Sequence, residues 1–322
     1  MPSPEALAKL SPHDLQVLIH DVLARLQAVP EWRDFTANID QLVHEINALP
    51  ADYAQTRAPL LDPDCTYTHC ESANAKGYGC ETHVVQTADG FLLTVFRVYK
   101  GLPAGKPPVL LSHGLVDTSF SWILSSPNTT LGYMLADAGY DVWLGNVRGN
   151  KYGRGHVTYS EFDPKLWDSS FDEQGEYDVP STIDYALSAN GASKIAVVGH
   201  SQGCTQMFGA MQQHPSLESK VSLFVALAPA GYFRHLNNWL VRLAAGFYVA
   251  DIAQLFGIDQ FLNLPDDLQA RLPVICDKSP KLVYSLLAVI LGDNPGEIDL
   301  EKMEVICAQS LGWTSMHNMG TK

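Results

Sequence analysis

Apolar and polar residues change rhythm three times along the chain. Near the N-terminus, Leu15, Leu18, Ile19, Val22 and Leu26 fall on one helical face behind Ser11, Pro12 and Asp14, which suit N-cap, N1 and N3 positions. After Pro30, the residues Phe35, Ile39, Leu42, Ile46 and Leu49 recur at alternating spacings of four and three. Two amphipathic helices are predicted within a preface spanning residues 1–64. Their polar faces carry more acid than base, which disfavours an anionic membrane and favours packing on each other or on the main domain. The stretch "DPDCTYTHCESANAKGYGC", rich in small and polar residues, reads as a linker.

From about Gly77 the rhythm becomes one of short strands alternating with helices. "HVVQTADGFLLTVFRV" predicts a hairpin turning at Asp89-Gly90, and "PPVLLSHGL" predicts a buried strand. A helix and strand follow in "LGYMLADAGYDVWLGNVRG", another pair in "VPSTIDYALSANGASKIAVVGHSQG", and a last strand in "SKVSLFVALAPAG". Continuous apolar strands between helices call for a mainly parallel sheet, so residues 65–230 are expected to form a doubly wound α/β core. Beyond Gly231 the alternation stops. Residues 231–322 are predominantly helical and apolar, as a cap or lid would be.

Composition narrows what such a protein does. Of 322 residues, 46% are hydrophobic and 17% charged, enough for one large core with a small unit beside it. A formal net charge of −14 argues against the basic footprint that nucleic-acid binding requires. No apolar run reaches the roughly 18 residues of a transmembrane helix. Lys9, Asp14, His20, Asp21 and Arg25 interrupt the N-terminal segment where a signal peptide would be apolar, so the chain taken literally starts in the cytosol. Six cysteines without a CxxC pair suggest no zinc site, and leave open whether Cys65, Cys70 and Cys80, or the scattered Cys204, Cys276 and Cys307, form any disulfide.

The chemistry is concentrated in Gly199-His200-Ser201-Gln202-Gly203, which fits the G-x-S-x-G nucleophile elbow between a strand and a helix. Such a turn stands the serine at a helix N-terminus, where unpaired N–H groups favour developing negative charge. The backbone N–H of Gln202 supplies one oxyanion donor. "LLSHGLVD" suits the second, with the Leu115 N–H turned inward and His113 orienting the loop backbone.

With these segments in view, the chain resembles the acid lipase family of α/β-hydrolases, which includes gastric and lysosomal acid lipases. The matching stretches are "GYGCETHVVQTADGFLLTVFRV", "LSHGLVDTSFSWI", "LADAGYDVWLGNVRGNKYGRGH", "SFDEQGEYDVPSTIDYAL", "VVGHSQGCTQ" and "FVALAPAG". The resemblance implies an α/β-hydrolase fold and hydrolysis of neutral lipid esters, triacylglycerols or steryl esters, at a lipid–water interface. It makes Ser201 the nucleophile, Leu115 and Gln202 the oxyanion hole and the helices after Gly231 the cap. It implies no metal and no organic cofactor, and its members are lysosomal or secreted.

A serine needs a base and an acid, and in this fold both follow the nucleophile. In the family they lie beyond the cap, whereas "TSMHNM" resembles a segment near the cap's close and "GTK" departs from it. The chain is therefore expected to be truncated before the catalytic Asp and His, and inactive or weakly active as it stands. Among substitutes, His200 adjoins the nucleophile on the elbow, His214 lies about 20 Å along a continuous helix, His235 follows the "VALAPAG" strand on the catalytic side of the sheet and is the best placed of the four, and His317 belongs to the cap-like tail. All four read as structural or surface histidines. Asp172, Glu173, Glu176 and Asp178 in "WDSSFDEQGEYD" read as a solvated helix start. A second class of function stands beside hydrolysis: a lipid-binding or interaction protein that keeps the scaffold without turnover. Asn128-Thr129-Thr130 is a glycosylation sequon, meaningful only on a secretory route.

Overall fold

The computed structural model describes residues 29–50, 58–101, 105–231, 257–264, 266–291 and 298–320, with isolated positions from 11 to 27 and at 56, 250, 253 and 254. Most of the first predicted helix lies outside the described residues, although the Asp14 N–H does bond to the Ser11 hydroxyl at 3.2 Å as a cap should. The second is helix α1, Pro30–Asn47.

The segment expected to be a linker is instead built into the structure. Thr68 and Glu71 form a reciprocal capping box that starts helix α2, His69–Ala75, whose His69, Ser72 and Ala73 are buried. A disulfide between Cys70 and Cys80 ties this helix to the first strand. The physical reason is visible in the pattern T-x-x-E, which makes a helix start out of residues that composition alone assigns to a loop.

Strand β1, Gly79–Gln86, turns at Gly90 (φ 101°) into β2, Phe91–Tyr99. There follow β3, Val109–Ser112; helix α3, Leu131–Asp137; β4, Val142–Gly145; and β5, Gly155–His156. Helix α4, Val179–Asn190, ends on Gly191 in the left-handed conformation, and leads to β6, Ile195–His200, then α5, Gln202–Gln213, and β7, Val221–Leu227. The strand order is β1-β2-β4-β3-β6-β7, parallel from β4 to β7 and antiparallel at β1 and β2.

Alternation along the strands divides the core into two layers. Leu110, Trp143, Ile195 and Val197 face Ile183 and Met207 on one side of the sheet, while Leu111, Leu144 and Val198 face Phe120, Tyr133 and Ala136 on the other. Registers place Leu111 beside both Leu144 and Val198, so Ser112, Gly145 and Gly199 reach the same end of the sheet together. That end carries the elbow.

A helical layer is assembled from both ends of the chain. Helices α6, Asp266–Lys278, and α7, Pro280–Leu291, bury Cys276, Val283 and Tyr284 with Met303 and Cys307, and Leu42 of α1 packs on this cluster. Cys276 and Cys307 are joined by a disulfide, leaving Cys65 and Cys204 as thiols among the six cysteines. Strand β8, Gln260–Phe261, pairs with β9, Thr314–Ser315. Among the described residues no helix is long and apolar enough to cross a membrane.

Candidate active site

Ser201 sits at φ 52° and ψ −117°, a combination that costs any side-chain-bearing residue strain and that only surrounding contacts can enforce. Those contacts are present. The Ser201 N–H donates to Leu227 O at 2.9 Å, and the Ser201 carbonyl accepts from Cys204 N–H at 3.0 Å and Ala230 N–H at 3.4 Å, so β7 and the first turn of α5 grip the turn from both sides. Space is equally tight. A Cβ on Gly203 would meet Ser112 O at 2.7 Å and His113 O at 2.8 Å, and one on Gly114 would lie 3.2 Å from both Ser201 Cβ and His200 Nδ1. The loop after β3 is thereby pressed against the elbow.

Leu115 and Gln202, singled out in the sequence as donors, are thus brought to the same end of the sheet as Ser201. Among the described residues neither their backbone N–H groups nor the Ser201 hydroxyl make a hydrogen bond to the protein. Gln202 is also the first residue of α5, whose opening N–H groups have no partner within the helix. Two unpaired donors beside a strained serine can stabilise an oxyanion.

The loop that carries Leu115 is held by buried polar side chains. His113 Nδ1 bonds Gly114 O at 2.8 Å, and because a carbonyl only accepts, Nδ1 carries the proton. Its Nε2 therefore accepts from Asn150 Nδ2 at 3.0 Å, and Asn150 in turn bonds Asn146 Oδ1 at 2.9 Å. The Gly114 carbonyl and the Leu115 N–H share one trans peptide, so fixing the first aims the second. Burial pushes the His113 pKa down to about 4, which keeps the ring neutral for this orienting task.

Asp117 closes the loop. Its carboxyl is enclosed, accepting from the Ser121 hydroxyl, the Thr118 N–H and the Gly114 N–H, while Val116 before it has φ 51°. Burial outweighs these bonds and pushes the Asp117 pKa up to about 7. The unfolded carboxyl titrates near its ordinary value of about 4. Between those values the folded state holds the proton that the unfolded state has released, so Asp117 makes stability fall as pH rises from about 4 to 7. Asp117→Asn is expected to reduce that fall by more than about 1 kcal/mol, as read by urea unfolding at pH 4.5, 6 and 7.5; an unchanged pH slope would contradict it.

Arg148 anchors the next loop. Its side chain is 1% exposed, and its Nε and Nη2 donate to Asp178 Oδ1 at 2.9 and 2.7 Å, its backbone N–H to Asp178 Oδ2 at 2.8 Å and its Nη1 to Asp89 Oδ2 at 2.6 Å. The guanidinium also lies 4.1 Å over the Phe91 ring. Burial works against its charge, but the two carboxylates outweigh burial and raise its pKa. Here the sequence reading is corrected. Ser170 and Glu173 do cap the helix start, but the π-helical turn Gln174–Asp178 swings Asp178 inward to a 1% exposed ion pair instead of a solvated position.

The histidines are placed as structural or surface groups. His214 Nε2 donates to Glu176 O at 2.7 Å, and His317 Nδ1 pairs with the exposed Asp168 at 2.9 Å. His200 is exposed beside the elbow, its pKa lowered by partial burial. His235 lies outside the described residues. Among the described residues no histidine nitrogen is hydrogen-bonded to Ser201 Oγ. Asn146, Asn150 and Asp117 were not singled out from sequence; the first two do lie in "GNVRGN", a stretch quoted for resemblance without any role for its asparagines.

Known proteins share these segments. Residues 70–126 match the family model of the partial alpha/beta-hydrolase lipase region, and residues 107–257 that of the alpha/beta hydrolase fold. The chain is 35% identical over 272 residues to gastric triacylglycerol lipase of Bos taurus, covering 80% of this chain and 66% of that protein. It is 35% identical over 270 residues to lysosomal acid lipase/cholesteryl ester hydrolase of Rattus norvegicus, covering 80% and 67%. Against lipase member M of Homo sapiens the identity is 34% over 268 residues, covering 80% and 63%. The chain spans about two thirds of the length of these curated relatives.

Proposed function

The chain belongs to the acid lipase family of α/β-hydrolases, and from that premise we propose that it is a serine ester hydrolase acting on neutral lipid esters, triacylglycerols or steryl esters, in lipid catabolism. The single observation that carries the proposal is the strained Ser201 at the head of α5, with the unpaired Leu115 and Gln202 N–H groups on the two segments that meet there.

In the proposed mechanism Ser201 Oγ attacks the ester carbonyl while its proton passes to a base, and the carbonyl oxygen becomes an oxyanion bound by the N–H groups of Leu115 and Gln202. Collapse expels the alcohol and leaves an acyl group on Ser201, which water then removes as the free acid. His113 takes no proton in this scheme, since its Nε2 accepts from Asn150 and its Nδ1–H is spent on Gly114 O.

One observation favours a second reading, a lipid-binding protein without turnover: no described histidine bonds to the Ser201 hydroxyl. A fluorophosphonate ester separates the two, because it reacts only with a serine whose proton a base removes. Hydrolase function predicts a single adduct on the peptide bearing Ser201, together with hydrolysis of p-nitrophenyl butyrate. Absence of both, with retained affinity for a fatty acid that survives Ser201→Ala, would reject it in favour of the binding protein.

A further inference from the structure

The Gln202 side chain lies 9% exposed between α5 and the short helix Met316–Gly320, where it meets Asn318, itself 4% exposed. The two amides bond reciprocally: Gln202 Nε2 donates to Asn318 Oδ1 at 3.1 Å, and Asn318 Nδ2 donates to Gln202 Oε1 at 3.3 Å. A paired amide of this kind restricts both side chains, because rotating either one leaves buried polar atoms unpaired on both. Asn318 is itself fixed, its Nδ2 bonding Thr314 Oγ1 at 2.8 Å and its N–H bonding Ser315 Oγ at 2.9 Å, while the Ser315 hydroxyl donates to Ser169 O.

The same segment holds the other side of the site. Gly312 N–H donates to Val116 O at 2.9 Å, one residue from Leu115. Thr118 Oγ1 donates to Gln309 O at 2.6 Å, and Ser121 Oγ, whose proton goes to Asp117, is hydrogen-bonded to Ser310 Oγ at 2.8 Å. A Cβ on Gly312 would lie 2.3 Å from Asp117 O, so the approach has no slack. Residues 309–318 therefore touch the carriers of both unpaired N–H groups, through the backbone beside Leu115 and through the side chain of Gln202.

We infer that Asn318 is a positioning residue for catalysis, aiming the Gln202 N–H at the developing oxyanion by clamping the Gln202 side chain, with Gly312 bracing the Leu115 loop from the same segment. The inference rests on the hydrolase reading for its effect on rate, but its geometric content does not. Gln202 is the only residue of the elbow helix whose side chain bonds this segment among the described residues, and its backbone N–H is adjacent to the serine that reacts. An oxyanion donor displaced by a fraction of an ångström loses much of its effect, since it must match a position that the substrate carbonyl reaches only in the transition state.

The test uses the full chain with Asn318→Ala, and the exchanged pair Gln202→Asn with Asn318→Gln, which keeps the summed length of the two amides. Asn318→Ala is expected to shift or broaden the Gln202 backbone amide signal in 1H–15N spectra, and to lower kcat on p-nitrophenyl butyrate about tenfold with KM within about twofold. The exchanged pair is expected to restore both toward wild type. A merely structural contact would lower Tm in Asn318→Ala while leaving the Gln202 signal and kcat unchanged, and that result overturns the inference. If wild type shows no turnover yet the Gln202 signal moves in Asn318→Ala and returns in the exchanged pair, the clamp stands and the hydrolase reading fails.

Discussion

Ser201→Gly is expected to melt higher than wild type while losing ester hydrolysis by about 10⁴-fold or more. The two effects share one cause. At φ 52° and ψ −117° the serine occupies backbone space that strongly favours glycine, at a cost of roughly 1–3 kcal/mol. Glycine removes that strain and adds about 0.5–1 kcal/mol of unfolded-state entropy in the opposite direction, leaving a net gain near 1 kcal/mol, or roughly 2–4 °C in Tm. Ser201→Ala is the control: it removes the hydroxyl but keeps a Cβ at the strained position, so it should lose turnover without gaining stability. Differential scanning fluorimetry beside a p-nitrophenyl butyrate assay reads both. A Ser201→Gly protein that melts lower, or that still turns over ester, would show that strain and chemistry do not meet at this residue.

The second large effect concerns folding. Arg148→Met fills a similar volume but strips the buried Asp178 carboxylate of both side-chain bonds from Arg148, keeping only the one from the backbone N–H, and leaves Asp89 without its cation. Removing one partner of such a pair costs about 3–5 kcal/mol, which corresponds to a drop of roughly 6–20 °C in Tm. The loss should shrink on acidification. Without the cation, the buried Asp178 carboxyl favours its protonated form more strongly, so its folded pKa rises and the stability it withholds returns as pH falls. Arg148→Met with Asp178→Asn should also recover part of the loss at neutral pH, because the stranded charge is gone. A single variant that melts within 2 °C of wild type, at a resolution of about 1 kcal/mol, would mean that the network is not holding the loops after β1 and β4.

Much of this architecture is legible in the sequence because it is local. Strands such as "PPVLLSHGL" and "KIAVVGH" are continuous apolar runs ending in small or polar residues, and G-x-S-x-G names both the turn and the serine. What escapes is set by partners far apart along the chain. Asn318 and Gln202 are separated by 116 positions, and neither carries a pattern that announces the other. Asp178 misleads because a π-turn adds a residue to its helical turn and rotates it from the solvent face to the Arg148 face, a shift that the spacing of acids does not reveal. The stretch before β1 misleads for the opposite reason: its small polar residues look like a linker, yet a capping box and a disulfide order them.

Gln309 joins three distant parts of the molecule. Its side-chain Nε2 donates to Asp64 O at 2.8 Å and Tyr67 O at 2.9 Å, while its carbonyl accepts from Thr118 beside the Leu115 loop. The first of these bonds spans 245 positions. At a synthesis rate of roughly 5–20 residues per second, the segment around Asp64 leaves the ribosome about 12–50 s before Gln309 can reach it. Through that interval the carbonyls of Asp64 and Tyr67 lack the Gln309 amide, and Thr118 beside the Leu115 loop lacks the Gln309 carbonyl. The junction that ties residues 64–67 to the loop beside Thr118 is thus closed only after the whole stretch from Asp64 to Gln309 has been made, so it forms late relative to the strands it joins.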